Sequence, residues 1–242
     1  MSNPLSRKLS NIASLTDEES QSISDLCERI EVVPAKTDII SEGDRPDYVH
    51  LVLEGWAARS KVLESGKRQF TAFLIRGDFC DLHVTILARM DHAITAVTNC
   101  KVAYIPSPEL ERLTLGNAKL TRALWWSTLV DEAVLREWIV NTGLRSAYEA
   151  VAHLICEMHF RSQMVGIVDG DTFDLPLTQE ELGAATGHTP VHINRVLQKL
   201  RAAGLIDFRG GRLTVRDLDG LEEAAGFESE YFHIRSGSPL TS

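Results

Sequence analysis

The sequence predicts an α+β chain made of an N-terminal β-roll, a long central helix and a C-terminal winged helix-turn-helix. Three observations carry that prediction. Residues 35–106 break into short runs of β-branched and aromatic residues separated by turn clusters; residues 117–140 run on without Gly or Pro; residues 177–215 spell two capped helices and then a Gly-Gly hairpin.

Composition narrows the class. The chain has 242 residues, 44% of them hydrophobic and 24% charged, with 16 glycines and 8 prolines, which is ordinary for a globular protein and wrong for a fibrous or disordered one. At roughly 150 residues per domain, the length suits one to two domains. No apolar run approaches the ~18 residues that cross a bilayer, and residues 1–15 carry no secretory pattern, so the cytoplasm is the expected compartment and no membrane partner is expected. Cys27, Cys80, Cys100 and Cys156 are scattered without C-x-x-C spacing, which points to free thiols rather than a disulfide scaffold or a zinc ribbon.

The elements follow in order. Residues 14–30 predict a short helix, with Thr16 as N-cap, Glu19 at capping-box spacing, and Ile23, Leu26 and Ile30 at helical intervals. After Pro34 the period changes. Strands are expected at 39–40, 48–53, 56–63, 69–74, 94–98 and 102–105, with turns at Ser41-Glu42-Gly43-Asp44, Glu54-Gly55, Glu64-Ser65-Gly66-Lys67 and Arg76-Gly77-Asp78. Beyond Pro106 and Pro108 the strand signals stop. The helix expected over 117–140, ending at Asn141-Thr142-Gly143, carries large apolar residues on more than one face: Leu120, Leu124, Trp125, Leu129, Leu135, Trp138 and Ile139. They are either buried within one monomer or, more economically, shared with the same helix of a second subunit, with Leu124, Leu135 and Trp138 in the seam of a homodimer. A further helix is expected over 144–160, then a loop at 166–170 and at Pro176.

Residues 177–206 give the most specific pattern. Thr178 caps a helix and Glu181 completes its box; Leu182 and Ala185 face inward; Gly187 supplies the positive φ of a tight turn. Thr189 caps the next helix, with Pro190 at its first position. Val191 or Ile193, together with Val196, Leu197 and Leu200, form its apolar side, leaving Pro190, His192, Asn194, Arg195 and Gln198 for the exposed side. Residues 205–215 then alternate around Gly210-Gly211 as a wing flanked by Arg209 and Arg212.

The overall charge of −9 conceals a local field of the opposite sign. From His188 to Arg216 there are six basic residues, Arg195, Lys199, Arg201, Arg209, Arg212 and Arg216, against the single acid Asp207, a net of +5. Charges more than about 10 Å away are screened at 0.1 M salt, so this stretch attracts phosphate even on an acidic protein. The expected partner is double-stranded DNA. Pro190, Val191, His192, Asn194 and Arg195 are the candidate base readers in the major groove, and Thr178, Thr189, Lys199, Arg209 and Arg212 the candidate phosphate contacts.

A β-roll containing Gly43-Asp44 and Gly77-Asp78-Phe79, followed by a long helix and the 178–206 segment, resembles the Crp/Fnr family of bacterial transcription regulators. The resemblance covers roughly residues 15–220. It implies a homodimer joined along the long helix, a cyclic-nucleotide-binding-like sensory domain over 1–115, a dimerisation helix over 116–142, a winged helix-turn-helix over 143–225 and a tail over 226–242. It also implies two recognition helices ~34 Å apart on a near-palindromic operator, and contact with RNA polymerase. Arg195 aligns with the family's guanine-reading arginine. Pro190 and Val191 stand where cyclic-AMP-type members have Arg and Glu, so the operator is expected to differ; Val191 offers a thymine methyl only apolar contact.

The sensory region departs further. Where cyclic-AMP-type members have a Gly-Glu pair for the ribose and an Arg-Ser pair for the phosphate, this chain has Asp81-Leu82 and His92-Ala93 in the place of the effector pocket. A carboxylate and a neutral imidazole do not replace a bidentate guanidinium, which argues against cyclic AMP. An iron-sulfur cluster needs about four thiolates, and only Cys27 lies near the N-terminus. Cys80, His83, His92 and Cys100 would suit Zn2+ if they met in space, and Cys80 would suit redox sensing if its pKa were low; buried thiols and surface histidines are the plainer account. No cofactor follows from these residues, and the effector stays open. The chain has no G-x-S-x-G, P-loop or H-E-x-x-H, so an enzyme is not expected. A ligand-binding regulatory module that does not act on DNA is the alternative, and it would lack the 178–215 pattern.

Overall fold

The computed structural model describes residues 3–82, 86 and 89–234. These divide into two compact units, one from residues up to 61 and 72–132 with Ile234, the other from 62–71 and 133–233.

The first unit opens with α1 (Pro4–Leu9) and α2 (Asp17–Asp25). The Thr16–Glu19 capping box forms as expected, but α2 ends at Asp25, and Ile30 belongs to a strand, β1 (Ile30–Val33). The β-branched run of β1 pairs antiparallel with β7 (Cys100–Pro106), from Ile30 opposite Ala103 to Val33 opposite Cys100, and that ladder overrides the helical spacing of Ile30. The helix α1 carries no periodic signal at six residues; Asn3 caps it through the amide of Leu5, and Pro4 occupies its first turn.

β2 (Asp38–Ile40), β3 (Tyr48–Glu54), β4 (Ala57–Val62), β5 (Arg68–Leu74) and β6 (Ala93–Ala96) complete the roll. Two sheets result, ordered β1-β7-β3 and β2-β6-β4-β5. At the β3–β4 turn Gly55 sits at φ +89°, and a Cβ there would lie 2.4 Å from the Asn99 carbonyl oxygen, so only glycine fits. One apolar cluster gathers Val33, Ile40, Val52, Leu74, Cys80, Ile94 and Cys100; the other gathers Leu5, Leu9, Val49, Leu51, Phe79, Ile105, Leu120 and Leu124. At about 1.5–3 kcal/mol per buried large aliphatic or aromatic side chain, these clusters are what hold the roll.

α3 (Ser107–Gly116) starts at the Pro106/Pro108 pair, where the missing amide donors cost nothing. α4 (Ala118–Gly143) is the expected long helix. In the second unit α5 (Ala147–Val165) follows a Ser146–Glu149 capping box and is buried on nearly every side, unlike an amphipathic surface helix. Its buried charges are paired: Glu157 accepts from the Trp138 indole at 2.8 Å and from Arg161 at 2.8 Å. β8 (Thr172–Asp174), in a stretch without a strand signal of its own, adds to the wing sheet in the order β8-β10-β9, with β9 (Ile206–Arg209) and β10 (Arg212–Val215). α6 (Gln179–Thr186), α7 (Pro190–Ala202) and α8 (Leu218–Ala225) complete the helices. The segment expected to be a tail from residue 226 instead sends Phe227 and Phe232 into the core, Phe232 stacking on Phe160 with ring centroids 4.7 Å apart.

Candidate nucleic-acid interface

The Thr178 hydroxyl accepts from the Glu181 amide, and the Glu181 carboxylate returns to the Thr178 amide at 2.7 Å. Gly187 ends α6 at φ +76°. Along α6, Gly183 faces the His188 carbonyl so closely that a Cβ would lie 2.4 Å from its oxygen, which sets the tight turn between the two helices. Thr189 caps α7 by accepting from the His192 amide, with Pro190 following.

The buried side of α7 is Ile193, Val196, Leu197 and Leu200. That resolves the choice left by the pattern: Ile193 is inside and Val191 is 63% exposed. Pro190, His192, Arg195, Gln198 and Lys199 share the exposed side with Val191, and half-buried Asn194 accepts a 2.9 Å hydrogen bond from Gln198. In the wing, Arg209 pairs in register with Arg212 across Gly210 and Gly211, both at positive φ as a two-residue hairpin requires. Arg209 lies 3.4 Å from Asp207 and Arg212 3.7 Å from Asp174; exposed pairs of this kind are worth at most about 1 kcal/mol and leave both guanidiniums free to turn to phosphate.

Arg201, given no role by the sequence pattern, donates to the Phe208 carbonyl and ties α7 to the wing. It borders an open groove of about 660 Å³ that Thr178, Gln179, Arg209 and Gly211 also line. Thr178 itself is poorly placed for phosphate, because its hydroxyl also donates to the Glu181 carboxylate at 2.8 Å, an anion that repels another. Burial, and then the neighbouring His192, hold the His188 imidazole below its ordinary pKa; the two rings lie 5.2 Å apart.

On α4, two residues expected in the seam are placed elsewhere. Leu124 is packed in the apolar cluster with Leu51 and Ile105, and Trp138 is buried with its indole on Glu157, so neither is available to a partner. Leu135 is 43% exposed. It lies in a stripe with Trp125, Leu129 and Ile139, all more than half exposed. Spacings of four from Trp125 to Leu129 and from Leu135 to Ile139 are the sequence signal that places these residues on one face.

The candidate effector residues do not form a nucleotide grip. Asp81 is fully buried and accepts from the His50 amide at 2.6 Å, its other oxygen meeting His50 Nδ1 at 2.5 Å, with His50 set edge-on to Tyr104. Leu82 packs against the apolar cluster of α3 and α4; His92 contacts Asp91 at 2.6 Å; Ala93 opens β6. Leu82 stands at the place of the ribose-gripping carboxylate, Asp81 is engaged by the chain's own His50, and no guanidinium stands at 92–93, so these residues do not fit a cyclic nucleotide. Cys80 and Cys100 are buried in one cluster, and burial raises both thiols, Cys80 well above its ordinary value, opposite to the shift that activates a redox thiol. His83 lies outside the described residues, and among those described no group of three or more metal-ligating side chains occurs.

Comparison with known proteins follows the same division. The Crp-like helix-turn-helix domain matches residues 149–224, and the cyclic nucleotide-binding domain matches residues 30–117. The transcriptional activator protein FnrL of Cereibacter sphaeroides is 29% identical over 196 residues, 79% of this chain and 78% of that protein. The nitrogen fixation regulation protein FixK of Bradyrhizobium diazoefficiens is 27% identical over 215 residues, 88% of each. Among solved structures, FixK2 from Bradyrhizobium japonicum shares the fold with a TM-score of 0.74 at 23% identity, over 83% of this chain and 98% of that one.

Proposed function

The chain belongs to the Crp/Fnr family of DNA-binding transcription regulators, and from that premise we propose that it acts as a homodimer whose α7 helices read a near-palindromic operator while the wings hold phosphate. The observation that carries the reading is the register of α7. Ile193, Val196, Leu197 and Leu200 anchor one side, which leaves Arg195 with Val191 and Pro190 on the other, behind a capped turn and beside two exposed wing arginines. Arg195 reads guanine through paired hydrogen bonds, Val191 packs on a thymine methyl, and His192 and Asn194 reach neighbouring base edges. Thr189, Lys199, Arg209 and Arg212 position the helix on the backbone.

The seam is the exposed apolar stripe of α4: Trp125, Leu129, Leu135 and Ile139. A groove of about 460 Å³, lined by Leu82, Leu110, Thr114, Trp125 and Leu129, continues it. Residues 1–115 form the controlling domain, 116–142 the joining helix and 143–225 the DNA-binding domain. Contact with RNA polymerase and a cytoplasmic setting follow from the family reading; no helix among the described residues is long and apolar enough to cross a membrane.

Selection of preferred sites from random DNA, followed by salt titrations on the selected site, tests this. Arg195→Ala is expected to cost about 1–3 kcal/mol per half-site and to relax preference at one position. Arg209→Ala and Arg212→Ala are expected to weaken all sequences alike and to lower the slope of log affinity against log salt by about one unit for each phosphate that the variant no longer neutralises. If Arg195→Ala keeps the wild-type preference while a wing variant changes it, the assigned roles are reversed.

A further inference from the structure

A six-residue helix has little stability of its own. Yet α1 is sunk into the first unit: Pro4, Leu5, Ser6, Lys8 and Leu9 are all buried, Leu5 and Leu9 within the cluster that includes Leu51, Phe79, Leu120 and Leu124. Lys8 carries a charge inward. Its Nζ donates to Asp78 Oδ1 at 2.7 Å and to Ser127 Oγ at 3.5 Å, with side chains of Lys8 and Asp78 only 9% and 4% exposed, while Asp78 Oδ2 accepts from the Ile75 amide at 2.7 Å.

A second cation stands beside it. Arg59 donates to the Phe79 carbonyl at 3.0 Å, to the Cys80 carbonyl at 3.1 Å and to Asp131 Oδ2 at 2.9 Å. The 78–80 segment is therefore held by two cations, and each also reaches α4, at Ser127 and Asp131, four residues apart on one helix face. An uncharged pair of the same volumes in place of Lys8 and Asp78 would fill the site at equal or lower cost. What that pair could not do is bridge the turn to the helix.

We propose that α1 is a tethered ligand of the Gly77-Asp78-Phe79 turn, with Lys8 as the cation that couples the turn to α4, and that docking of α1 sets the operator-binding state. This rests on the reading of the β-roll as the controlling domain. Undocking α1 is the event through which control is exerted.

Linkage makes the test direct, because if α1 docking favours operator binding then operator binding favours α1 docking by the same factor. Hydrogen exchange of the wild-type protein, free, with selected operator and with random DNA, reads the amides of residues 5–13. Exchange at least threefold slower with operator, and unchanged with random DNA, is expected; equal exchange in all three states overturns the proposal. The pair Lys8→Met with Asp78→Asn removes the cation without stranding a buried carboxylate. It is expected to melt within a few degrees of wild type and to bind operator at least tenfold more weakly; wild-type affinity in the folded pair also overturns the proposal. Should the pair not fold, the exchange result decides. Failure of the DNA reading itself is distinct: the wild-type protein would then select no site at all.

Discussion

At Gly183 one missing methyl group decides whether α6 and α7 can meet. A Cβ 2.4 Å from the His188 carbonyl oxygen forces backbone apart, so Gly183→Ala is expected to cost about 1–3 kcal/mol in urea unfolding and to weaken operator binding, although alanine is the better helix former. Polar residues are harder to foresee. Asp81 is legible as a departure from the nucleotide-binding pattern, but nothing in the sequence announces His50, 31 positions away, as its partner. That pairing strengthens the expectation that cyclic AMP does not bind at micromolar concentration. Calorimetric titration checks it, and tight stoichiometric binding would require another pocket. Trp138 departs from its expected place for a related reason: periodicity shows that a helix has two apolar faces, not which is covered by its own chain, and here Glu157 holds the indole inside.

Elements with internal signals are legible. The Thr16, Thr178 and Thr189 caps, the Gly210-Gly211 turn and the long α4 all stand where local chemistry puts them. α1, α3 and β8 are not, because a helix of six residues shows no period, prolines at a first turn read equally as a loop, and a three-residue strand exists only through its partner β10. On α4, the exposed stripe and the buried face make opposite predictions. Leu135→Glu with Ile139→Glu places charge at the proposed seam and is expected to yield folded monomers at micromolar concentration in sedimentation experiments, with operator affinity lost. Leu124→Glu instead buries an unpaired charge among Leu51, Ile105 and Leu120 and is expected to unfold the first unit. A folded monomer from Leu124→Glu, or a dimer from the first pair, would exchange the two faces.

For the molecule as a whole, the order β-roll, long helix, winged helix is readable because each part repeats its own signal many times, whereas the buried charge within the parts is not. That hidden charge makes the second unit sensitive to acid. His153 is 1% exposed, bounded by Arg145 and Asn141 near the end of α4, by Glu137 at 3.2 Å, and by the Phe227 and Tyr231 rings. Burial, and then the Arg145 charge, hold it well below its ordinary pKa of 6.5, with Glu137 opposing. Burial likewise lowers His159, which is 3% exposed against Phe173. His153 takes up its proton in the fold only near pH 4 and His159 below its ordinary value, whereas both titrate near 6.5 once unfolded, so the unfolded chain binds more protons and stability falls as pH drops below 6.5, by up to about 1.4 kcal/mol per pH unit for each histidine. Glu222, raised by burial and then by Asp219, binds its proton earlier than an ordinary carboxylate and opposes this decline. Glu19, held at about 2 chiefly by Lys119, loses its contribution as pH falls from the ordinary 4.5 through about 2, below this window. Urea unfolding between pH 7.5 and 5.5 should show the decline, and His153→Gln, which keeps a donor for Glu137 but takes up no proton, should remove about one proton from the slope. An unchanged slope in His153→Gln would mean that His153 is already charged in the folded protein, with Glu137 outweighing burial.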